Sequence, residues 1–136
     1  MAGQGLINDL ENELVAADGA NTIVPQVMAV ASSPLSGAAV DLQDADGSCW
    51  AFLHVGAVST GTTAPTADVK LQESDTSGGT YADISGAAFA QVTTASHFKV
   101  LTFKRTKRFV RALATMTGTV STVAMACSIV GQKKNI

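Results

Sequence analysis

The sequence predicts an all-β fold, a jelly-roll-like antiparallel β-sandwich with a short N-terminal helix or arm. Beyond residue 20, apolar residues recur at every second position in short runs, which is the period of β-strands. Stretches containing Gly, Ser, Thr and Pro separate roughly eight or nine such runs at short spacing, as in sandwiches. A helical period occurs in the first segment alone. These observations place one helical element before a two-layer β-domain.

The composition indicates a single globular domain. The chain has 136 residues, of which 46% are hydrophobic and 15% are charged, so it is not a disordered tail. Its apolar residues are mainly Ala and Val, with one Trp, one Tyr and five Phe. Because small side chains bury little apolar area each, we expect association between subunits to add to the stability of the isolated fold.

The N-terminal segment, residues 1–20, is predicted to be a helix or arm in front of a sandwich domain at residues 21–136. Apolar residues recur there at intervals of three and four positions: Leu6, Ile7, Leu10 and Leu14. An isolated helix this short is marginal in water, so the stripe must pack on something. Two interpretations are open: the stripe covers its own domain, or it docks on a neighbouring protein.

Targeting signals are not predicted. The N-terminus lacks the basic region of a secretory signal, and no apolar run reaches the 18 residues expected of a membrane span. The two cysteines form no CxxC pair or disulfide framework. We therefore expect folding in a reducing cytoplasm and no membrane partner.

The strand in "SCWAFLHVGAVS" is apolar at nearly every position. Trp50 and Phe52 alternate with Ala51 and Leu53, so both faces of the strand are apolar. This pattern is typical of a strand buried between two layers. We therefore expect the strand to lie inside the sandwich.

Two hairpins are predicted in the second half of the chain. In the first, Val69–Gly86, the apolar residues alternate with polar ones, and "DTSGG" supplies side chains that cap a tight reversal. The second is formed by "RFVRALATMTG" and "STVAMACSIVG", which we expect to reverse around Gly118. Neither hairpin carries a catalytic signature.

Candidate catalytic groups do not converge in the sequence. Cys49 and His54 are five positions apart on one strand, so their side chains point to opposite faces. Neither His54 nor His97 has a second His or Cys two positions away, as a metal site on one strand would need. The chain lacks GxSxG and GK[ST] motifs. The sequence therefore predicts no enzyme, no metal and no cofactor.

Charge is divided unevenly along the chain. Eleven acidic residues and one base lie at or before Asp83, a sum of −10, whereas the eight bases after it sum to +8. In a sandwich the two halves interleave, so the charges either cancel within the domain or create acidic and basic faces for contact between copies.

The run "KRTKRFVR" concentrates the positive charge in a predicted turn. It has five bases within eight positions: Lys104, Arg105, Lys107, Arg108 and Arg111. Three interpretations are open: a solvated turn, contact with an acidic protein surface, or binding of nucleic acid. Nucleic acid is the least favoured, because the run has one aromatic residue and the whole chain is mildly acidic.

Several segments resemble small virion proteins of tailed phages. The hairpin "DVKLQESDTSGGTYADISGA", the later strand "KRFVRALATMTGTVS" and the opening "GLINDLENELV" are similar to segments of that group. The resemblance covers roughly Ala39–Gly131, and its motifs are structural hairpins. Members of this group include head decoration, or cement, proteins.

The resemblance implies a jelly-roll protein that sits as a homotrimer on the outside of the capsid and clamps neighbouring major capsid subunits. It would be assembled into the virion in the host cytoplasm. The N-terminal leucine stripe and the five bases of the basic run are the candidate contacts with the capsid or another subunit. The alternatives are a tail, baseplate or head–tail joining component with the same fold, or a carbohydrate-binding module for host attachment.

Overall fold

A computed structural model describes residues 14–15, 21–59, 63–119 and 121–133 and confirms the all-β prediction. Two antiparallel sheets pack against each other, and no α-helix occurs within these ranges. A 3-10 turn spans Val30–Ser32. In chain order the strands are β1 (Leu14–Val15), β2 (Asn21–Ala29), β3 (Leu35–Ser36), β4 (Val40–Asp41), β5 (Ala45–Ser59), β6 (Thr63–Ser74), β7 (Ala82–Ala88), β8 (His97–Phe103), β9 (Phe109–Thr119) and β10 (Thr122–Lys133).

Each sheet combines strands from distant parts of the chain. The first sheet has the order β2-β10-β5-β8, with β1 also paired to β10. The second has the order β3-β9-β6-β7, with β4 also paired to β9. Both β1 and β2 run antiparallel to β10, so they follow one another along the same side of it.

The pairing is that of a jelly roll. The β6–β7 hairpin is the innermost pair, and it is enclosed in turn by β5–β8, by β3 and β4 with β9, and by β2–β10. This nested set corresponds to one long hairpin wrapped into two sheets, and it is closed by the additional pairs β10–β5 and β9–β6. Two packed layers built this way form the jelly-roll architecture.

The predicted hairpin Val69–Gly86 is confirmed as the centre of this wrapping. Gln72 pairs with Asp83 across β6 and β7. The reversal is held by its own polar groups: the Ser74 hydroxyl accepts a hydrogen bond from the Thr76 amide at 3.3 Å. The Tyr81 hydroxyl donates to the Ser77 carbonyl at 2.9 Å.

The second predicted hairpin is wrong. β9 belongs to the second sheet and β10 to the first, so the chain crosses between layers after Thr119 instead of reversing within one sheet. Gly118 lies at this crossing with φ +131, and an added Cβ would meet the Pro65 Cα at 3.0 Å. Glycine is therefore required here for a crossover, not for a hairpin turn.

The N-terminal helix is not found where the structure describes that segment. Leu14–Val15 is a short strand, with Leu14 opposite Gln132 and Val15 opposite Gly131 of β10. The rest of the predicted helix lies outside the described residues. At Leu14–Val15 the chain therefore forms a β-strand paired with β10, although the apolar period there is helical.

The core lies between the sheets and is aliphatic. The inner sides of β5, β6, β9 and β10 alternate with the outer sides, and their inner residues are almost completely buried. The largest of the fully buried side chains are Ile23, Leu42, Leu53, Leu71 and Ile129. Small partners such as Ala51, Ala112 and Ala114 lie between them.

Thr22 ties the two sheets together at one corner. Its hydroxyl donates to the Ala38 carbonyl at 2.8 Å and accepts from the Ala112 amide of β9 at 2.9 Å. Gly37 passes so close that an added Cβ would lie 2.5 Å from the Thr22 carbonyl oxygen. A buried hydroxyl with both partners satisfied joins the layers without an unpaired polar group.

Candidate functional site: the outer face of the first sheet

The outer side of the first sheet is formed by the side chains of β5, β8 and β10 that alternate away from the core. Among the outward side chains within Trp50–His54, Phe98–Thr102 and Ala124–Val130, none is Asp, Glu, Lys or Arg. We call this surface the apolar face; its residues are Trp50, Phe52, His54, Phe98, Val100, Thr102, Ala124, Ala126, Ser128 and Val130.

Aromatic side chains form the centre of the apolar face. The rings of Phe52 and Phe98 lie nearly parallel, with an interplanar angle of 6° and centroids 6.1 Å apart. The His54 ring lies 4.5 Å from that of Phe98, opposite which it pairs across the strands. Phe98 is nevertheless 57% exposed and Val100 is 52% exposed. Large apolar side chains left this accessible two positions apart on one strand mark an interaction surface.

The prediction that β5 is buried on both faces is wrong for its outer side. Leu53 is fully buried, but Phe52 is only half-buried and His54 is exposed. Sequence reasoning therefore missed these residues as candidates for contact. The two-sided apolar pattern of β5 was the available signal, because it is also the pattern of a strand that is covered by another subunit.

A shallow groove of about 340 Å³ runs along one side of the apolar face. Its floor is formed by small residues, Gly56, Ala124 and Ala126, and His54 forms one wall. On the opposite side the groove is lined by Pro25, Gln26 and Val27 of β2, and Val27 is 67% exposed. The apolar face thus has protruding rings on one side and a depression on the other.

The two edges of the first sheet are unsuited to adding a further strand. In β2 the register with β10 shifts between Ile23 and Gln26, and Pro25 lies in this irregular stretch. In β8, Lys99 alternates to the inner side, where its ammonium group donates to the Ala90 carbonyl at 3.0 Å. Bulges, prolines and inward-pointing charges are the means by which edge strands avoid pairing with other chains.

Most side chains of the basic run, unlike those of the apolar face, have polar partners within the same chain. Arg108 makes two hydrogen bonds to Asp41, at 2.9 and 2.7 Å. Arg105 donates to the Ala45 carbonyl at 2.6 Å, and Lys107 lies 3.5 Å from Asp75.

Arg111 and Lys104 complete the run. Arg111 donates to the Gln72 side-chain oxygen at 3.1 and 3.0 Å, and its guanidinium lies 4.0 Å from the centre of the Tyr81 ring. Lys104 is exposed. Among the candidate contacts in the N-terminal stripe, Leu14 lies in β1, and Leu6, Ile7 and Leu10 lie outside the described residues.

The uneven charge of the two chain halves is partly cancelled inside the domain. The ion pairs Arg108–Asp41 and Lys107–Asp75 each join a base from the second half to an acid from the first. The hydrogen bond with Arg108 lowers the pKa of Asp41, against a smaller opposing effect of desolvation. The carboxylate is therefore held in its charged form.

Glu73 fastens the loop that carries the basic run. Its carboxylate accepts hydrogen bonds from the Thr106 amide and hydroxyl, both at 2.7 Å, and from the Lys107 amide at 3.2 Å. Desolvation raises the pKa of Glu73, but these hydrogen bonds and the nearby Lys107 charge outweigh it, so the pKa is lowered overall. Three donors to one charged acceptor fix the loop against the end of β6.

The histidine and cysteine side chains do not form a common site in the described part of the chain. Cys49 faces the core and His54 faces outward, and burial raises the pKa of the Cys127 thiol to about 12. His97 is hydrogen-bonded to Thr94. Within the described ranges, no three His, Cys, Asp or Glu side chains lie close enough together to hold a metal ion.

No helix in the described part of the chain is long and apolar enough to cross a membrane. Comparison of the chain with protein-family models, with curated proteins and with solved structures found no match. The apolar face is accordingly interpreted from its own geometry.

Proposed function

We propose that the protein is a structural subunit of a virus particle, and specifically a capsid decoration protein that assembles as a homotrimer on the outer capsid surface and clamps neighbouring major capsid subunits. The observation that carries the proposal is the apolar face, with its exposed Phe98 and Val100 on a rigid jelly-roll sandwich. The resemblance of the Val69–Gly86 hairpin to phage virion proteins supports the assignment to a particle.

The apolar face suits association because covering it removes apolar surface from water. Burial of such surface contributes about 25 cal/mol for each Å². The backbone beneath is already paired in the first sheet, so a partner meets a preformed surface. Association therefore requires little ordering of the chain, which reduces its entropic cost.

A decoration protein needs a second kind of contact, with the shell. The end of the domain that carries the basic run provides polar groups, including the exposed Lys104, for a surface of opposite charge. Each such contact is weak when exposed to solvent. Repeated around a symmetric shell by a multivalent subunit, weak contacts act together.

A carbohydrate-binding module is the second candidate, and one observation favours it. Trp50 lies on the outer face of β5 and not in the core, opposite Thr102 of β8, the strand that also carries the exposed Phe98. Exposed aromatic rings on a sheet are the groups on which sugar rings stack. The sequence predicts that the strand carrying Trp50 lies inside the sandwich, but the structure leaves this ring partly accessible on the outer face.

The test is to add the purified protein to undecorated, expanded shells of the virus that encodes it. We expect saturable binding outside the shell, a mass corresponding to trimers by light scattering, and greater resistance of the shells to heat. Bovine serum albumin at equal concentration serves as the control for non-specific adsorption. A monomer that leaves the shells bare would overturn the proposal, and binding of glycans by the isolated protein would support the second candidate.

A further inference from the structure

We propose that the apolar face is covered by a second copy of this chain, with the Phe98 ring of one copy seated in the groove over Ala124 and Ala126 of its neighbour. This inference rests on the proposed function, because it names the surface through which the subunits associate. It identifies Phe98, Val100 and the groove residues as the contact.

The apolar face has the two shapes that such a contact requires. Phe98 protrudes from β8 and is 57% exposed, whereas the groove lies two strands away, over β10. A groove of about 340 Å³ accommodates a phenyl ring, since an apolar cavity of about 150 Å³ already binds benzene. The floor lacks large side chains because it consists of Gly56, Ala124 and Ala126.

The absence of formal charge favours a copy of the same face over a charged partner. A nucleic acid or an acidic protein surface needs cationic groups, and the residues of the apolar face include none of the Lys and Arg side chains. Two copies of an uncharged face meet without like-charge repulsion. The polar members, Thr102 and Ser128, lie among apolar neighbours and are short enough to be tolerated in a contact.

The edges of the first sheet direct a second copy onto its face. Pro25 in the irregular stretch of β2 and the inward Lys99 of β8 oppose extension of the sheet by another strand. A second copy can therefore contact the outer face of the sheet without extending it.

The expected contact is modest in area. Four strands about 4.8 Å apart and seven residues long present roughly 440 Å² of projected face, or roughly 900 Å² for two copies. Stable complexes bury about 1,200–2,000 Å² in total, so this face alone gives weak association in solution. Assembly on a shell would strengthen it by raising the effective concentration.

The experiment uses two complementary variants of the full chain. Phe98→Ser removes the inserting ring and keeps the groove, whereas Ala126→Leu fills the groove and keeps the ring. Each alone is expected to self-associate at least about tenfold more weakly than the wild type in sedimentation velocity over a concentration series. Mixed together, they are expected to form a two-chain complex, because one intact ring meets one intact groove.

Leu113→Ser is the matched control. Leu113 is half-buried and alternates to the outer side of the second sheet, so its loss should leave self-association unchanged. Thermal unfolding and circular dichroism of every variant establish that it is folded. A replacement variant, Val100→Ser for the ring side or Ala124→Leu for the groove side, is used if either fails to fold.

The inference is overturned if folded Phe98→Ser and Ala126→Leu associate like the wild type, or if their mixture stays monomeric. In either case binding of the wild type to shells would leave the proposed function standing. Conversely, if the wild type does not bind shells but the two variants form the mixed complex, the proposed function is refuted and the contact between copies is supported.

Discussion

The two outer faces of the sandwich have the same architecture but opposite chemistry. On the first sheet, alternation presents aromatic and small apolar side chains that have no charged neighbours among the residues of the apolar face. On the second sheet, the outer positions of β6, β7 and β9 carry paired polar groups. We call this second surface the charged face; it includes Asp68, Lys70, Gln72, Asp83 and Arg111.

Polar groups of the charged face are hydrogen-bonded to one another, and this distinguishes the charged face from the apolar face. The Lys70 ammonium lies 2.7 Å from Asp83, and the Gln72 amide donates to the same carboxylate at 2.8 Å. The hydrogen bond from Lys70 is the largest cause of the lowered pKa of Asp83. Polar surface whose groups are paired within the chain gains little from a partner. Exposed apolar surface gains by being covered, so the two faces differ in what they can do for assembly.

The largest expected effect compares neighbouring residues on opposite sides of β5. Leu53→Ala should lower the free energy of unfolding by about 2–5 kcal/mol, because it leaves a cavity in the core. Phe52→Ala should cost about 1 kcal/mol in the monomer, since its side chain is half-exposed. Urea unfolding at micromolar protein concentration measures both values.

A second measurement of Phe52→Ala at high protein concentration tests whether association covers this residue. There the wild type should gain stability from association and the variant should gain less. Equal losses for Leu53→Ala and Phe52→Ala in the monomer would mean that the outer side of β5 is covered within one chain. The distinction between core and apolar face would then fail.

The comparison also explains which predictions from sequence were reliable. Alternation gave the strands and the Val69–Gly86 hairpin, because both depend on residues close in the chain. It did not distinguish a hairpin from a crossover after Thr119, since β9 and β10 each have one apolar side whether they pair or lie in opposite layers.

Contacts between residues far apart in the chain were the second feature that the sequence pattern did not predict. The basic run has the pattern of a binding patch because its acidic partners lie far away along the chain: Glu73 is 33 positions from Thr106, and Asp41 is 67 from Arg108. For Trp50 and Phe52, the sequence shows that both sides of the strand are apolar. It does not show whether the covering layer belongs to the same chain.

An intermediate effect is expected at Glu73, which fastens the charged loop. Glu73→Gln should lower the free energy of unfolding at pH 7 by about 1–3 kcal/mol, because a charged acceptor of three hydrogen bonds is lost. Since the folded-state pKa lies below the usual value of 4.5 for a glutamate, the wild-type contribution is present above pH 4.5. It should disappear as the pH falls through the folded-state pKa.

Acid titration of unfolding therefore separates the variant from its control. The stability of Glu73→Gln should fall less steeply below pH 4.5 than that of the wild type. Asp68→Asn, which removes an exposed carboxylate of the charged face, should retain the wild-type slope attributable to Glu73. Parallel curves for the wild type and Glu73→Gln would show that the carboxylate does not hold the loop in its charged form.

The smallest effect is expected for the Asp41–Arg108 pair. Its side chains are 41% and 46% exposed, so solvent screens the attraction even though the geometry is bidentate. A double-mutant cycle with Asp41→Ala and Arg108→Ala should give a small coupling free energy that decreases at 1 M NaCl. Self-association through the apolar face should not weaken at that salt concentration, because it depends on burial of uncharged surface. If salt dissociated the subunits while the ion-pair coupling stayed constant, assembly would depend on charge, and the roles assigned to the two faces would be reversed.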